Sequence, residues 1–132
     1  TDLVKPLEFL SENLPRNTIV FVISDFFCKP FRSELRNLAA RHDVILVALV
    51  DDIEMDLPRV GIVEFEDAES GERLCVDTSA PEARYTLRKL QRRRLLSVME
   101  PAQNAGADFV VVKTNPIAPL ADLMRLRVAR YR

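Results

Sequence analysis

Thr18-Ile19-Val20-Phe21-Val22-Ile23-Ser24-Asp25 is the stretch on which the reading of this chain turns. From Ile19 to Ile23 the residues are apolar without a break, and all but Phe21 are β-branched. A strand that is wet on one face alternates apolar and polar side chains. A strand covered on both faces reads as a continuous apolar run rich in β-branched residues. The stretch therefore predicts an interior strand of a mostly parallel sheet. Ligands of open α/β sheets bind beyond the carboxyl ends of the strands. Ser24 and Asp25 mark such an end, and a site is expected there.

The same signature returns over 44–50 (VILVALV) and, more briefly, over 109–112 (FVVV). Helical patterns separate the three runs. Over 2–14, Leu3, Leu7, Leu10 and Leu14 share one face, and Pro15 stops the helix. A second helix is expected over 31–41, with Phe31, Leu35, Leu38 and Ala39 inward. Ser79, Pro81 and Glu82 form a capping-box start for a long helix that ends near Asn104, with Gly106 as its stop. Leu87, Leu90, Leu95 and Val98 give that helix an inward stripe. A last helix over 119–130 is expected to bury Leu120, Leu123, Met124, Val128 and Tyr131.

Between the second and third runs lies an acidic linker and then a hairpin, within about residues 60–77. Its arms are 61–66 and 73–77, and its turn is 67–72. Val63 and Phe65 share one face, while Glu64 and Glu66 point the other way. The order is α-β-α-β-hairpin-α-β-α. Such alternation gives a three-layer α/β domain with right-handed crossovers around a parallel sheet. At 132 residues, one domain is expected.

Composition narrows the function classes. No apolar run approaches the ~18 residues of a membrane helix, and no signal peptide is expected. The chain opens at Thr1, as a processed chain or an excised piece does. Cys28 and Cys75 have no CxxC partner, and two cysteines with the single His42 do not supply the four ligands of a zinc site. They read as reduced, buried thiols of a cytoplasmic protein. His42 reads as a helix-end cation or a hydrogen-bonded structural histidine.

A net charge of −1 conceals segregation. Nine acids stand against Arg59 alone between Asp51 and Glu72, and six bases with no acid lie between Arg84 and Arg94. The basic run lacks the aromatic interleaving of single-strand binders, and the chain is not basic overall, so nucleic acid is not an expected partner. A charged helix face, or a docking surface for the acidic hairpin or for a partner protein, is the reading of that run. Asp51 and Asp52 close the second strand without a nucleophile or histidine nearby and read as a solvated loop.

The motifs also carry a resemblance. IVFVISDFF, LAARHDVILVALVDDIEMDLPRVGIVEFEDAESGE, VDTS and TNPIAPLADLMRLR, taken as an ordered set, resemble bacterial domain-of-unknown-function family 58. Its members carry a von Willebrand factor A-like domain and are often encoded beside MoxR-type AAA+ ATPases. The resemblance implies a Rossmann-like sheet of strand order 3-2-1-4-5-6, of which this chain supplies the carboxyl half. It implies a metal-ion-dependent adhesion site in the intact domain, with Asp25 as one Mg²⁺ ligand. The D-x-S-x-S motif that supplies other ligands is absent from this sequence, and one carboxylate with waters holds Mg²⁺ weakly. Ser24, Thr114 and Asn115 are candidates for a groove at the same strand ends.

The expected function is a non-enzymatic protein–protein interaction module working with an ATPase of MoxR type. The alternative is a small-molecule-binding or hydrolytic domain with its pocket near Asp25 and Thr114. Nothing earlier in the chain flanks the first strand. An apolar edge invites pairing, so a homodimer through the edge over 18–24 is expected.

Overall fold

A three-stranded parallel sheet of order β1-β2-β5 forms the centre of the fold. The computed structural model describes residues 2–51, 58–66 and 71–130. In chain order the elements are α1 (Val4–Asn13), β1 (Ile19–Ser24), α2 (Arg32–Ala39), β2 (Asp43–Leu49), β3 (Ile62–Glu66), β4 (Arg73–Asp77), α3 (Pro81–Ala105), β5 (Asp108–Val112) and α4 (Ile117–Arg130). The class is α/β and Rossmann-like. By packing, the chain falls into two units: residues 1–50 with 94–132, and residues 51–93.

In the first unit the period of two along each strand sorts the side chains onto two faces. Register places Val20 beside Val44, Val22 beside Leu46, and Leu46 beside Phe109. These residues, with Ala48 and Val111, form one face. It is covered by Leu7 of α1, Leu35 and Leu38 of α2, and Val98 and Ala102 of α3. On the opposite face Ile45, Val47 and Val112 are buried under Leu120 and Leu123 of α4. β2 is thus the strand covered on both faces, as its continuous apolar run requires.

β1 departs from that expectation. Val20 and Val22 are buried, but Ile19, Phe21 and Ile23 are 59%, 48% and 62% exposed. The strand has the composition of an interior strand and the position of an edge. α4 reaches over β2 and β5 and does not cover β1's outer row.

The helices show two further departures. The third helix begins at Pro81, so its cap position falls on Ala80, whose carbonyl accepts the Arg84 N–H at 3.3 Å. Ser79 is one residue too early to cap it. Its expected inward stripe holds at Val98, which is buried, but Leu90 is exposed. In α4, Met124 and Val128 are exposed and Arg127 is buried in their stead; Tyr131 lies outside the described residues. Elsewhere the signals hold. Gly106, at φ +74°, ends α3 while Ala107 N–H reaches back to Ala102 at 2.9 Å, the six-to-one bond of a glycine-terminated helix.

The second unit is built around the β3-β4 hairpin, which pairs Val63 with Val76 and Phe65 with Leu74 on one face. On the other face Arg73 reaches Glu64 at 3.5 Å and Glu66 at 3.2 Å. The hairpin's acids are thus met by a cross-strand arginine. The turn over 67–70 lies outside the described residues.

Candidate functional site

The chain leaves β1 through a tight, self-bonded turn. Ser24 Oγ accepts the Phe26 N–H at 3.0 Å, and Asp25 Oδ1 accepts the Phe27 N–H at 3.1 Å. The Ser24 hydroxyl also donates to Asp25 Oδ1, at 3.4 Å. Phe26 sits at φ +57°. Left-handed backbone costs an L-residue about 1–2 kcal/mol. Burial of Phe26 and its stacking on Phe31, with ring centroids 5.9 Å apart, hold it there. The Arg94 guanidinium lies 3.9 Å from the centre of the Phe27 ring, a cation–π contact.

At the end of β5, Asn115 Oδ1 accepts the Ile117 N–H at 3.1 Å and so caps α4. Thr114 and Asn115 are exposed. They lie at the same end of the sheet as Ser24 and Asp25, but β2 stands between β1 and β5. Two inter-strand steps separate the pairs by about 9–10 Å. Asp51, two residues beyond β2, is exposed; Asp52 is outside the described residues.

Strand order follows chain order across this sheet, without a reversal. In open α/β sheets the ligand crevice opens where the order reverses. No such point occurs among the described strands.

A divalent cation asks more than this chain's described residues offer. Mg²⁺ takes near-octahedral oxygen coordination. Ser24 and Asp25 offer a hydroxyl and a carboxylate already spent on a backbone amide. Among the described residues no group of three or more His, Cys, Asp or Glu side chains is placed to hold a metal ion. The residues present do not by themselves fit a metal site.

The most distinctive surface is the free side of β1. Asp43 N–H donates to Thr18 C=O at 2.9 Å. Backbone groups of alternate residues face the same side of a strand. Those of Val20 and Val22 therefore serve β2, and those of Ile19, Phe21 and Ile23 face outward. The three residues with free backbone groups are the same three with exposed apolar side chains.

His42 is buried, and neither ring nitrogen has a hydrogen-bond partner among the described residues; the expected hydrogen-bonded histidine is not found. The expected burial of both cysteines does not hold, since Cys28 is half-buried and Cys75 lies exposed on the hairpin; partial burial still pushes the Cys28 thiol up, away from the reactive thiolate.

Two features were missed in the sequence. Arg127 binds both Asp43 and Asp108, at the amino ends of β2 and β5, and Arg130 reaches Asp108 at 2.9 Å. Leu120, Leu123 and Arg127 share one helical face, and each aspartate directly precedes an apolar run. That pattern was the available signal. The other feature is the groove between α2 and α3, which no local motif announces. Among the described residues no helix is long and apolar enough to cross a membrane.

The chain is 29% identical to an uncharacterised protein of Mycobacterium bovis and to one of Mycobacterium tuberculosis, over 99% of its own length and 41% of theirs. It is 26% identical to an uncharacterised protein of Mycobacterium avium, covering 77% of that protein. The chain thus spans about two fifths of the length of the first two relatives. No solved structure matches it. Residues 1–95 match the family model described as "Protein of unknown function DUF58", and the chain belongs to that family.

Proposed function

We propose that this domain is a protein–protein interaction module whose docking element is the free edge of β1. One observation carries the reading: Ile19, Phe21 and Ile23 combine exposed apolar side chains with outward-facing backbone groups. A strand added there gains main-chain hydrogen bonds and covers the apolar row together.

For the chain by itself the partner is a second copy. Antiparallel pairing about a two-fold axis must set odd residues opposite odd ones, because a slip of one residue turns every side chain to the other face. Full overlap then puts Phe21 opposite its own copy and Ile19 opposite Ile23. In a longer protein the resemblance to von Willebrand A-like, MoxR-associated proteins supplies the class of partner, an AAA+ ATPase. Asp25 is then one Mg²⁺ ligand at the crevice beside β1. The strand-end pocket is the weaker reading, since β2 separates Asp25 from Thr114, and Asp25 and Asn115 already bond backbone amides.

Light scattering of the chain and of Phe21→Lys tests the edge. The expected result is a dimer that the substitution converts to a folded monomer, with unchanged circular dichroism. A wild-type chain that stays monomeric from micromolar to millimolar concentration refutes the edge reading. Pull-down of a MoxR-type ATPase by a longer protein and by its Asp25→Ala variant tests the partner and the metal role. Equal, magnesium-independent capture by both counts against the adhesion site.

A further inference from the structure

Two cavities lie end to end between α2 and the carboxyl half of α3. The larger is about 370 Å³ and the smaller about 240 Å³. Arg32 and Pro101 line both, so together they form one elongated groove. Its two ends differ in chemistry. Phe31, Val98 and Pro101 give the larger cavity an apolar lining, and all three are buried side chains at the margin of the core. Lys29 and Arg32 stand at that cavity, and Arg36 stands at the smaller one. Arg32 and Arg36 are one helical turn apart and share a face of α2. The groove contains one acid, Glu100. All three cations are exposed, and neither they nor Glu100 form an ion pair among the described residues. Cations left unpaired beside an apolar cavity favour a ligand that brings its own negative charge.

Pro101 lies inside α3 and has no N–H to give the carbonyl of Ser97, one turn earlier. Both residues line the larger cavity. The Ser97 carbonyl therefore lacks the donor that a regular helix supplies from four residues on. The elongated groove, apolar at one end and cationic along its length, matches an extended segment that carries an apolar side chain followed by acids.

We infer that the α2–α3 groove is a second docking surface, which takes an extended acidic peptide segment. One apolar side chain of the peptide enters the cavity over Phe31, Val98 and Pro101. The acidic residues that follow it lie along Arg32 and Arg36. The inference rests on the interaction-module reading for its biological sense, but the groove and the β1 edge share no residue, and each can fail alone.

The test is a titration of the isotope-labelled chain with a blocked Leu-Glu-Glu-Glu peptide, followed by amide chemical shifts. Shifts are expected to gather at Lys29, Arg32 and Ser97. Two variants at exposed positions probe the two ends without touching the core. Arg32→Glu with Arg36→Glu reverses the rim charge and is expected to weaken binding about tenfold, as a few solvent-exposed ion pairs would. Ser97→Trp fills the mouth of the apolar cavity and is expected to abolish the preference for leucine over glycine in the peptide. Phe21→Lys is expected to leave the titration unchanged. No shifts at millimolar peptide, shifts gathered on β1, or binding that survives both groove variants overturns the proposal. No peptide binding by the unsubstituted chain while the β1 dimer forms refutes this inference alone, and groove binding by a chain that stays monomeric refutes only the edge reading.

Discussion

Replacing Arg127 tests what holds α4 to the sheet. Its guanidinium binds Asp43 and Asp108, and the side chains of the three are 11%, 33% and 16% exposed. Its pKa is raised, chiefly by the hydrogen bond to Asp43, so it stays charged at any pH where the protein folds. Arg127→Met keeps the aliphatic bulk and removes the charge. Breaking a buried pair from one side costs about 3–5 kcal/mol, because a charge is left uncompensated. Two facts lower that figure here. Asp108 keeps Arg130 at 2.9 Å, and Asp43 is a third exposed, where water replaces much of the lost partner. We expect a loss of about 2–3 kcal/mol for Arg127→Met in urea denaturation, with an unchanged slope. Adding Asp43→Asn and Asp108→Asn removes the stranded charges and should restore most of the loss, since an apolar or neutral replacement of a whole buried cluster is often close to neutral. A loss below about 0.5 kcal/mol, the usual range of surface substitutions, would refute the clamp. So would a triple variant as unstable as the single.

His42→Leu removes two buried nitrogens that have no partner among the described residues and is expected to be neutral or to stabilise by about 1–2 kcal/mol, read by thermal or urea unfolding. Leu35→Ala, at a side chain 0% exposed under the sheet, should cost about 2–5 kcal/mol by the same measurement, and a cost under 1 kcal/mol would mean the site collapses freely. Iodoacetamide should modify exposed Cys75 before half-buried Cys28. Burial raises the Cys28 pKa, so its thiolate is scarcer than in the unfolded chain. Its alkylation at pH 8 should be slower when folded than in urea and should keep rising with pH beyond the ordinary thiol range. By the same sign, Cys28 favours the folded state fully below the unfolded thiol's pKa, and that contribution is lost as pH climbs through the raised folded value.

How far local sequence carried the fold can be seen strand by strand. β2 read as a strand covered on both faces, and it is one. The Leu3-Leu7-Leu10-Leu14 stripe and Phe31, Leu35 and Leu38 met the core as their spacing predicts. Gly106 stopped its helix. These features depend on periods of 2 and 3.6 residues and on single-residue backbone preferences, which act within a few positions of the chain. α4 read less well, because amphipathic spacing does not distinguish an arginine in water from one enclosed by two aspartates. The partners of Arg127 stand 84 and 19 positions away. The candidate site was legible only as a place. Asp25 and Thr114 do end their strands, but sequence did not reveal that β2 would separate them or that Asp25 and Asn115 would be occupied in capping turns.

Residue order alone determined that this chain makes parallel strands flanked by helices, since hydrophobic periodicity is a local property that each segment carries by itself. It also determined that β1 was composed to lie inside a sheet. Only the tertiary structure decided that β1 is an edge, which three of its apolar residues are left uncovered, and that α2 and α3 enclose a groove with unpaired cations. Exposure is settled by what packs on a residue, and packing joins segments that are remote in sequence. The proposed edge pairing rests on that difference between β1's composition and its position.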